Sequence, residues 1–289
     1  MTELELQNLV LQKLDKSGLD ILIGWAKNEG WNPGLHDAEA FWNADPDGFV
    51  GYFHQNELIA GGAIVSYGGE FGFMGLFIVH PEFRGQGIGQ KLWFERRGLL
   101  LNRLKPESSI GMDGVVAMQP FYEKGGFHIV FRDERYERLG EPFEVHQSIS
   151  VITEEDLDSI HAYDLACFGF DRSKFLESWL SLPNHQTFKY SDQTGLKGFA
   201  VLRKTGVGFK IGPLFAENEK VAEELYKACL NSAQGEPVYL DIPVVNSAAV
   251  ALIKKFEAKY VFECARMYHG KPPKVDINKI FGITTFELG

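Results

Sequence analysis

The stretch Ile78–Trp93 reads IVHPEFRGQGIGQKLW. It continues an apolar run, GFMGLFIV (Gly72–Val79), whose flanking turn residues predict a buried strand. Its tail is apolar-periodic and predicts a helix. A glycine-rich turn at such a junction exposes backbone N–H groups that have no partner inside the helix. The helix dipole adds partial positive charge at the same point, so the junction suits a phosphate. Arg84 stands at its mouth, and Lys91, Arg96 and Arg97 follow on the helix. A plain tight turn needs one glycine; three glycines and an arginine exceed that need.

Three phosphate-binding patterns compete for this loop. The nucleoside triphosphate loop needs G-x-x-x-x-G-K-[ST], but Leu92 follows Lys91 here. The dinucleotide fingerprint needs G-x-G-x-x-G, but Gly85, Gly87 and Gly89 are spaced G-x-G-x-G. The pattern R-x-x-G-x-G, with Arg84, Gly87 and Gly89, fits.

Working outward, the strand phrase recurs. GFKIGPLFA (Gly208–Ala216) echoes GFMGLFIV, and VYLDIPVV (Val238–Val245) echoes IGMDGVVA (Ile110–Ala117). Late cues echo as well, ERY at Glu134–Tyr136 and ARMY at Ala265–Tyr268. A repeat of this length is two copies of one domain. The interval from Gly72 to Asp113 is eight residues longer than that from Gly208 to Asp241, and the excess falls where the first copy has its glycine loop. The second copy has AENEKVAEELYKACL there, acidic and without glycine. Strands alternate with helical patterns in both copies, which predicts an α/β fold. LDILIGWAKNEG reads as a helix ended by glycine, and TEEDLDSIHAYDLACF opens the second copy with a capping threonine. The interruption at Leu139–Ser148 places the boundary, giving domains 1–143 and 144–289.

The bulk properties narrow the function. A chain of 289 residues suits two domains, and 45% hydrophobic with 24% charged residues is a globular composition. The net charge of −10 argues against nucleic acid as a partner. No apolar run reaches the ~18 residues of a membrane span. The opening MTELELQNLV lacks the features of a secretory signal, so a cytoplasmic location is expected. Cys167, Cys229 and Cys264 are far apart and read as reduced thiols, and the scattered histidines predict no metal site.

The loop, its strand and helix, and the later MQPFYEKGGF (Met118–Phe127) together resemble the two signatures of the GNAT N-acetyltransferase superfamily. The echo makes the whole chain resemble a tandem GNAT protein: a catalytic-type first domain and a diverged second one. The resemblance implies, for each domain, a mixed and mostly antiparallel central sheet flanked by helices. It implies acetyl-CoA as co-substrate, with Phe77, Ile78 and Val79 on a splayed strand pairing with the pantetheine amides. Arg84, Gly85, Gln86, Gly87, Ile88 and Gly89 would hold the pyrophosphate. Gln119 would bind the coenzyme arm, although the family more often has asparagine there. Tyr122 occupies the position of the phenol that protonates the leaving thiolate.

The base stays open between Asp113, Glu70, His80 and a water chain, with Asp113 the named candidate. Asp241 duplicates Asp113 in the copy that lacks the loop, which favours a structural role for both. The loop joining the first two helices would lie over the acceptor in this family, making Trp31, Asn32, His36 and Asp37 acceptor-side candidates. Capping by Asp37 and stapling by Trp31 explain the same residues equally well. The expected activity is transfer of acetyl to a primary amine, on a small molecule or a protein, in a ternary complex. A non-catalytic acyl-CoA sensor is the alternative. A monomer or loose homodimer is expected. The segment PPKVDINKIFGITTFELG is expected to return as a strand that covers a sheet edge.

Overall fold

A computed structural model describes residues 6–289. The first half runs β1 (Gln12–Lys13), α1 (Lys16–Asn28), α2 (Asp37–Ala44), β2 (Phe49–His54), β3 (Glu57–Tyr67), β4 (Phe71–Val79), α3 (Ile88–Arg103), β5 (Ser109–Val115), α4 (Gln119–Lys124) and β6 (His128–Leu139). The second half repeats that order: β7 (Ile149–Val151), α5 (Leu157–Phe168), α6 (Ser173–Ser181), β8 (His185–Asp192), β9 (Gly195–Lys204), β10 (Phe209–Ala216), α7 (Glu219–Ser232), β11 (Pro237–Pro243), α8 (Ser247–Lys255) and β12 (Lys259–His269). One further strand, β13 (Ile280–Gly282), has no counterpart in the first half.

Local chemistry sets the helix ends. Asp15 caps α1 by accepting from the Gly18 amide (2.9 Å), and Leu19, Leu22 and Ala26 bury one face. Thr153 and Asp156 form a capping box before α5, and Gly169 (φ 95°) ends that helix.

The two halves share one mixed, mostly antiparallel sheet, ordered β1-β2-β3-β4-β5-β12-β6-β11-β10-β9-β8-β7. The last strand of each half is thus exchanged: β12 pairs with β5, and β6 pairs with β11. Residues 140–148 join β6 to β7, and the packing does not divide there. At the centre β6 and β12 lie antiparallel, with Asp133 opposite Cys264. Each exchanged strand is pinned by a buried ion pair. Arg266 of β12 donates two hydrogen bonds to Asp113 of β5 (2.7 and 2.9 Å), and Arg135 of β6 donates two to Asp241 of β11 (2.6 and 2.7 Å). Each pair joins directly opposed residues of its ladder. Such pairs contribute little net stability once desolvation is counted, but a shifted register would leave a charge buried alone.

Candidate active site between two diverging strands

Strands β4 and β5 are parallel partners only from Phe71 to Phe73, opposite Ser109 to Gly111. Beyond that point they part. A bulge assists the divergence: Gly61 of β3 faces Ile78, Ala63 faces Gly75, and Leu76 adopts φ 48°. The guanidinium of Arg96, fully buried, fills the space beneath the bulge and donates to the carbonyls of Ala63 (2.5 Å) and Gly75 (2.8 Å). Burial lowers its pKa to about 9. Arg96 therefore supports the strand and does not face the loop.

The gap between the strands is a cavity of about 650 Å³. One end is formed by Phe77, Val79, Arg84, Gly85 and Gly89, the middle by Met118, Phe121 and Tyr122, and the far end by Trp31, Arg135, Phe262, Phe286 and Glu287. Along its wall, β4 from Met74 to Val79 has no strand partner on the β5 side. Its backbone groups there can receive an extended amide-bearing ligand.

The loop meets the expectation of an open helix end. Gly85 (φ 73°) and Gly87 (φ 83°) lie in the left-handed region, and Gly87 is the N-cap of α3, with no side-chain cap and no acidic residue in the first turn. The first bond of the helix runs from the Lys91 amide to the Gly87 carbonyl (3.1 Å). The amides of Ile88, Gly89 and Gln90 precede it. A methyl on Gly89 would point toward Val79 and Phe77 at the cavity wall. The cations read as a cluster do not gather here. Lys91 bonds to the Leu9 carbonyl (2.7 Å) and Glu95, Arg97 bonds to the Gly125 carbonyl, and Arg96 is buried under the bulge. Arg84 alone stays at the mouth, held by the Val79 carbonyl (2.8 Å) and by Glu29. The groups left open at this helix end are thus mostly backbone.

Tyr122 sits on α4 with its ring 4.7 Å from that of Trp93 and pressed on Gly114. Its hydroxyl takes no hydrogen bond from the described residues. Burial pushes its pKa up, so the phenol stays protonated at neutral pH and can donate. Gln119, expected on the coenzyme arm, is instead buried and donates to the Gly114 carbonyl (3.0 Å), tying α4 to β5 outside the cavity wall. Asp113 borders the cavity, but Arg266 holds both of its oxygens and its side chain is fully buried. Burial raises it to about 6, against the opposing pull of Arg266. Glu70 pairs with Lys105 on the surface, and His80 packs against Trp25 and Phe83; neither lines the cavity.

Of the acceptor-side candidates, only Trp31 lines the cavity. Asn32 donates to Thr205 (3.0 Å) and to the Val207 carbonyl (2.9 Å). His36 approaches Asn184 (3.4 Å), and the buried Asp37 accepts from the Gly34 amide (2.8 Å) and from Arg203. The loop clasps the second half, and the far wall of the cavity comes from elsewhere: Arg135 on β6, Phe262 and Cys264 on β12, and Phe286 and Glu287 beyond β13. Arg135 lies in the echoed ERY phrase, but no local signal marks any of these residues as part of a cavity. Among the described residues no group of three or more His, Cys, Asp or Glu could hold a metal, and no helix is long and apolar enough to cross a membrane.

Comparison with known proteins agrees with this geometry. The acetyltransferase (GNAT) domain description matches residues 39–129 and, in a second form, residues 160–282. A holothin acyltransferase from Pseudoalteromonas sp. (strain SANK 73390) is 30% identical over 271 residues, covering 93% of this chain and 90% of that one. A solved structure from Pyrococcus horikoshii, assigned as an acetyltransferase, superposes with a TM-score of 0.83 at 21% identity, over 98% of this chain and 96% of that one. A tandem GNAT protein from the clavulanic acid biosynthesis pathway superposes with a TM-score of 0.64 at 13% identity, over 92% and 100% of the two chains. The chain belongs to the GNAT acetyltransferase family, as a tandem acyltransferase whose first half keeps the catalytic-type loop and whose second half has diverged.

Proposed function

We propose that the protein transfers the acetyl group of acetyl-CoA to a primary amine by direct attack within a ternary complex. The divergence of β4 from β5 carries this reading: it opens one cavity that runs from an uncapped helix end past a protonated phenol. The α3 amides and Arg84 hold the pyrophosphate, and the unpaired β4 edge holds the pantetheine amides. The thioester then lies near Tyr122, which supplies the proton to the leaving thiolate. Asp113 serves to hold β12 in register and is not the base, because its oxygens are occupied.

Calorimetric titration of acetyl-CoA tests the reading. One site per chain, together with amine-stimulated release of free thiol, is the expected result. Binding without any acceptor-stimulated thiol release would favour an acyl-CoA sensor, and absence of binding would remove the coenzyme assignment.

A further inference from the structure

The far end of the cavity is built from parts that the glycine loop does not explain. After β13 the chain turns back across the centre of the sheet. Its backbone packs on the bulge glycine of each half: a methyl on Gly212 would overlap the Thr284 carbonyl, and one on Gly75 would overlap the Glu287 carbonyl. This crossing delivers Phe286 and Glu287, residues of the second half, into the first half's cavity.

The charges around them are almost all spoken for. Arg135 is held by Asp241 and by the Trp31 carbonyl (3.2 Å), and Asp113 by Arg266. Lys210, fully enclosed, donates to the Trp31 carbonyl (2.8 Å). Asp133, behind the Cys264 wall, has no hydrogen-bond partner for either carboxylate oxygen among the described residues. Glu287 is the charged residue of the lining that bonds to no other, although Arg135 and Lys210 stand near enough to feel its charge. The residue is only 4% exposed, yet its carboxylate takes no hydrogen bond and no ion pair from the described residues. Glu287 lines the cavity. Beside it stands an aromatic corner. The rings of Phe262 and Phe286 are 5.7 Å apart at 52°, and the Arg135 guanidinium packs on both, at 4.6 and 5.3 Å.

We infer that Glu287 and the Phe262–Phe286 corner form the acceptor subsite, which takes a primary ammonium carried on a flat, apolar body. A carboxylate that bonds to no other residue in a mostly apolar cavity attracts a cation, and the ring surface that Phe262 and Phe286 give to the cavity, beside the Arg135 guanidinium, favours a planar partner. The inference rests on the acyl-transfer reading above and assigns the base left open there. The ammonium gives one proton to the Glu287 carboxylate. The amine nitrogen then attacks the thioester carbon, the C–N bond forms, the C–S bond breaks, and the thiolate takes the Tyr122 proton. The nitrogen sheds a second proton, which returns to the Tyr122 oxygen, leaving an amide, free thiol and a protonated Glu287 that releases its proton to water. The second half thus supplies a catalytic group to the first.

The test uses the full chain as wild type, Glu287→Gln and Phe286→Leu, with 2-phenylethylamine as probe and spermidine as the non-aromatic comparator. Wild type should bind 2-phenylethylamine more tightly than spermidine, by calorimetry, and acetylate it faster. Glu287→Gln should keep its acetyl-CoA affinity within about twofold, weaken amine binding about tenfold or more, and lower kcat/KM about 100-fold at neutral pH. Its rate should recover as rising pH deprotonates the free amine. Phe286→Leu should raise KM several-fold more for the aromatic amine than for spermidine. Wild-type kcat/KM with an unaltered pH profile in Glu287→Gln would overturn the assignment. So would equal binding of the two amines, or binding of neither by a wild type that does bind acetyl-CoA, and in those cases the coenzyme reading stands. If acetyl-CoA does not bind at all, the acyl-transfer reading falls, and the amine titration, which needs no coenzyme, still decides for or against the subsite.

Discussion

The two halves each contain the same diverging pair of parallel strands, yet only one pair is open. In the second half β10 and β11 are partners from Phe209 to Ile211, opposite Val238 to Leu240, and then part, as β4 and β5 do. There the chain fills its own gap. Strand β13 pairs with Leu214 and Phe215 of β10, and the Ile283 amide donates to the Asp241 carbonyl (2.9 Å). A backbone segment lies where a pantetheine arm would lie in the first half. The helices differ in the same sense. The Asn218 side chain caps α7 by accepting from the Val221 amide (3.1 Å), and Glu219 lies in its first turn, whereas α3 begins on bare glycine. A diverging sheet and a helix end make a coenzyme site only where the protein leaves their backbone groups unsatisfied. The expectation that the 272–289 segment covers a sheet edge is therefore corrected: β13 occupies an internal gap.

The comparison can be broken most severely at the ion pairs that equate the halves. Asp241→Ala strands Arg135, and Asp113→Ala strands Arg266; each should cost about 3–5 kcal/mol in urea unfolding. Markedly unequal costs would show that the two exchanged strands are not held alike. At the proposed coenzyme site, Gly89→Asp puts a carboxylate on the open helix end at a position where the added Cβ meets only ordinary contacts. Acetyl-CoA affinity should fall about 100-fold, near 3 kcal/mol, while the melting temperature stays close to wild type. Retained affinity would mean that the loop does not hold the phosphates. Tyr122→Phe removes only the proton donor; kcat should drop about 100-fold with the acetyl-CoA dissociation constant unchanged. A wild-type kcat would assign thiolate protonation to water.

The smallest effect concerns the seam between the halves. His185 packs on Trp179, whose ring stacks on Phe41 of the first half, and bonds to the Trp179 carbonyl (2.8 Å). Burial, with help from Arg203, lowers its pKa to about 4 from 6.5. Its neutral form is the folded one, so its contribution is complete above the unfolded value and is lost as pH falls toward about 4. Between pH 7 and pH 5 the loss should be about 2 kcal/mol, and His185→Gln should flatten that part of the stability profile. An unchanged slope would place the acid sensitivity elsewhere.

What could be read without coordinates was what a short stretch of chain settles by itself. The glycine loop, the tyrosine helix and the capping box at Thr153 are local arrangements, and the repeated strand phrase is visible because both copies bury equivalent strands. The role of Gln119 was not legible because a helix position does not say whether an amide turns to a ligand or to the nearest carbonyl, here that of Gly114. The sequence left Asn32 and Asp37 open between acceptor and structural roles because their partners, Thr205 and Arg203, are more than a hundred residues away. Arg135, Phe262, Phe286 and Glu287 were not foreseen at all.

The sequence by itself determined where backbone amides would be left bare, because absent side chains and positive φ angles at Gly85 and Gly87 are properties of the residues in place. It also determined that two copies of one fold would be present. Only the tertiary structure decided which strand lies beside which, since any two alternating strands can form a ladder and the buried ion pairs select one register. The same structure decided that one segment, 280–287, closes the second cleft and furnishes the first, because a gap in a sheet is filled by whatever chain the rest of the packing brings to it.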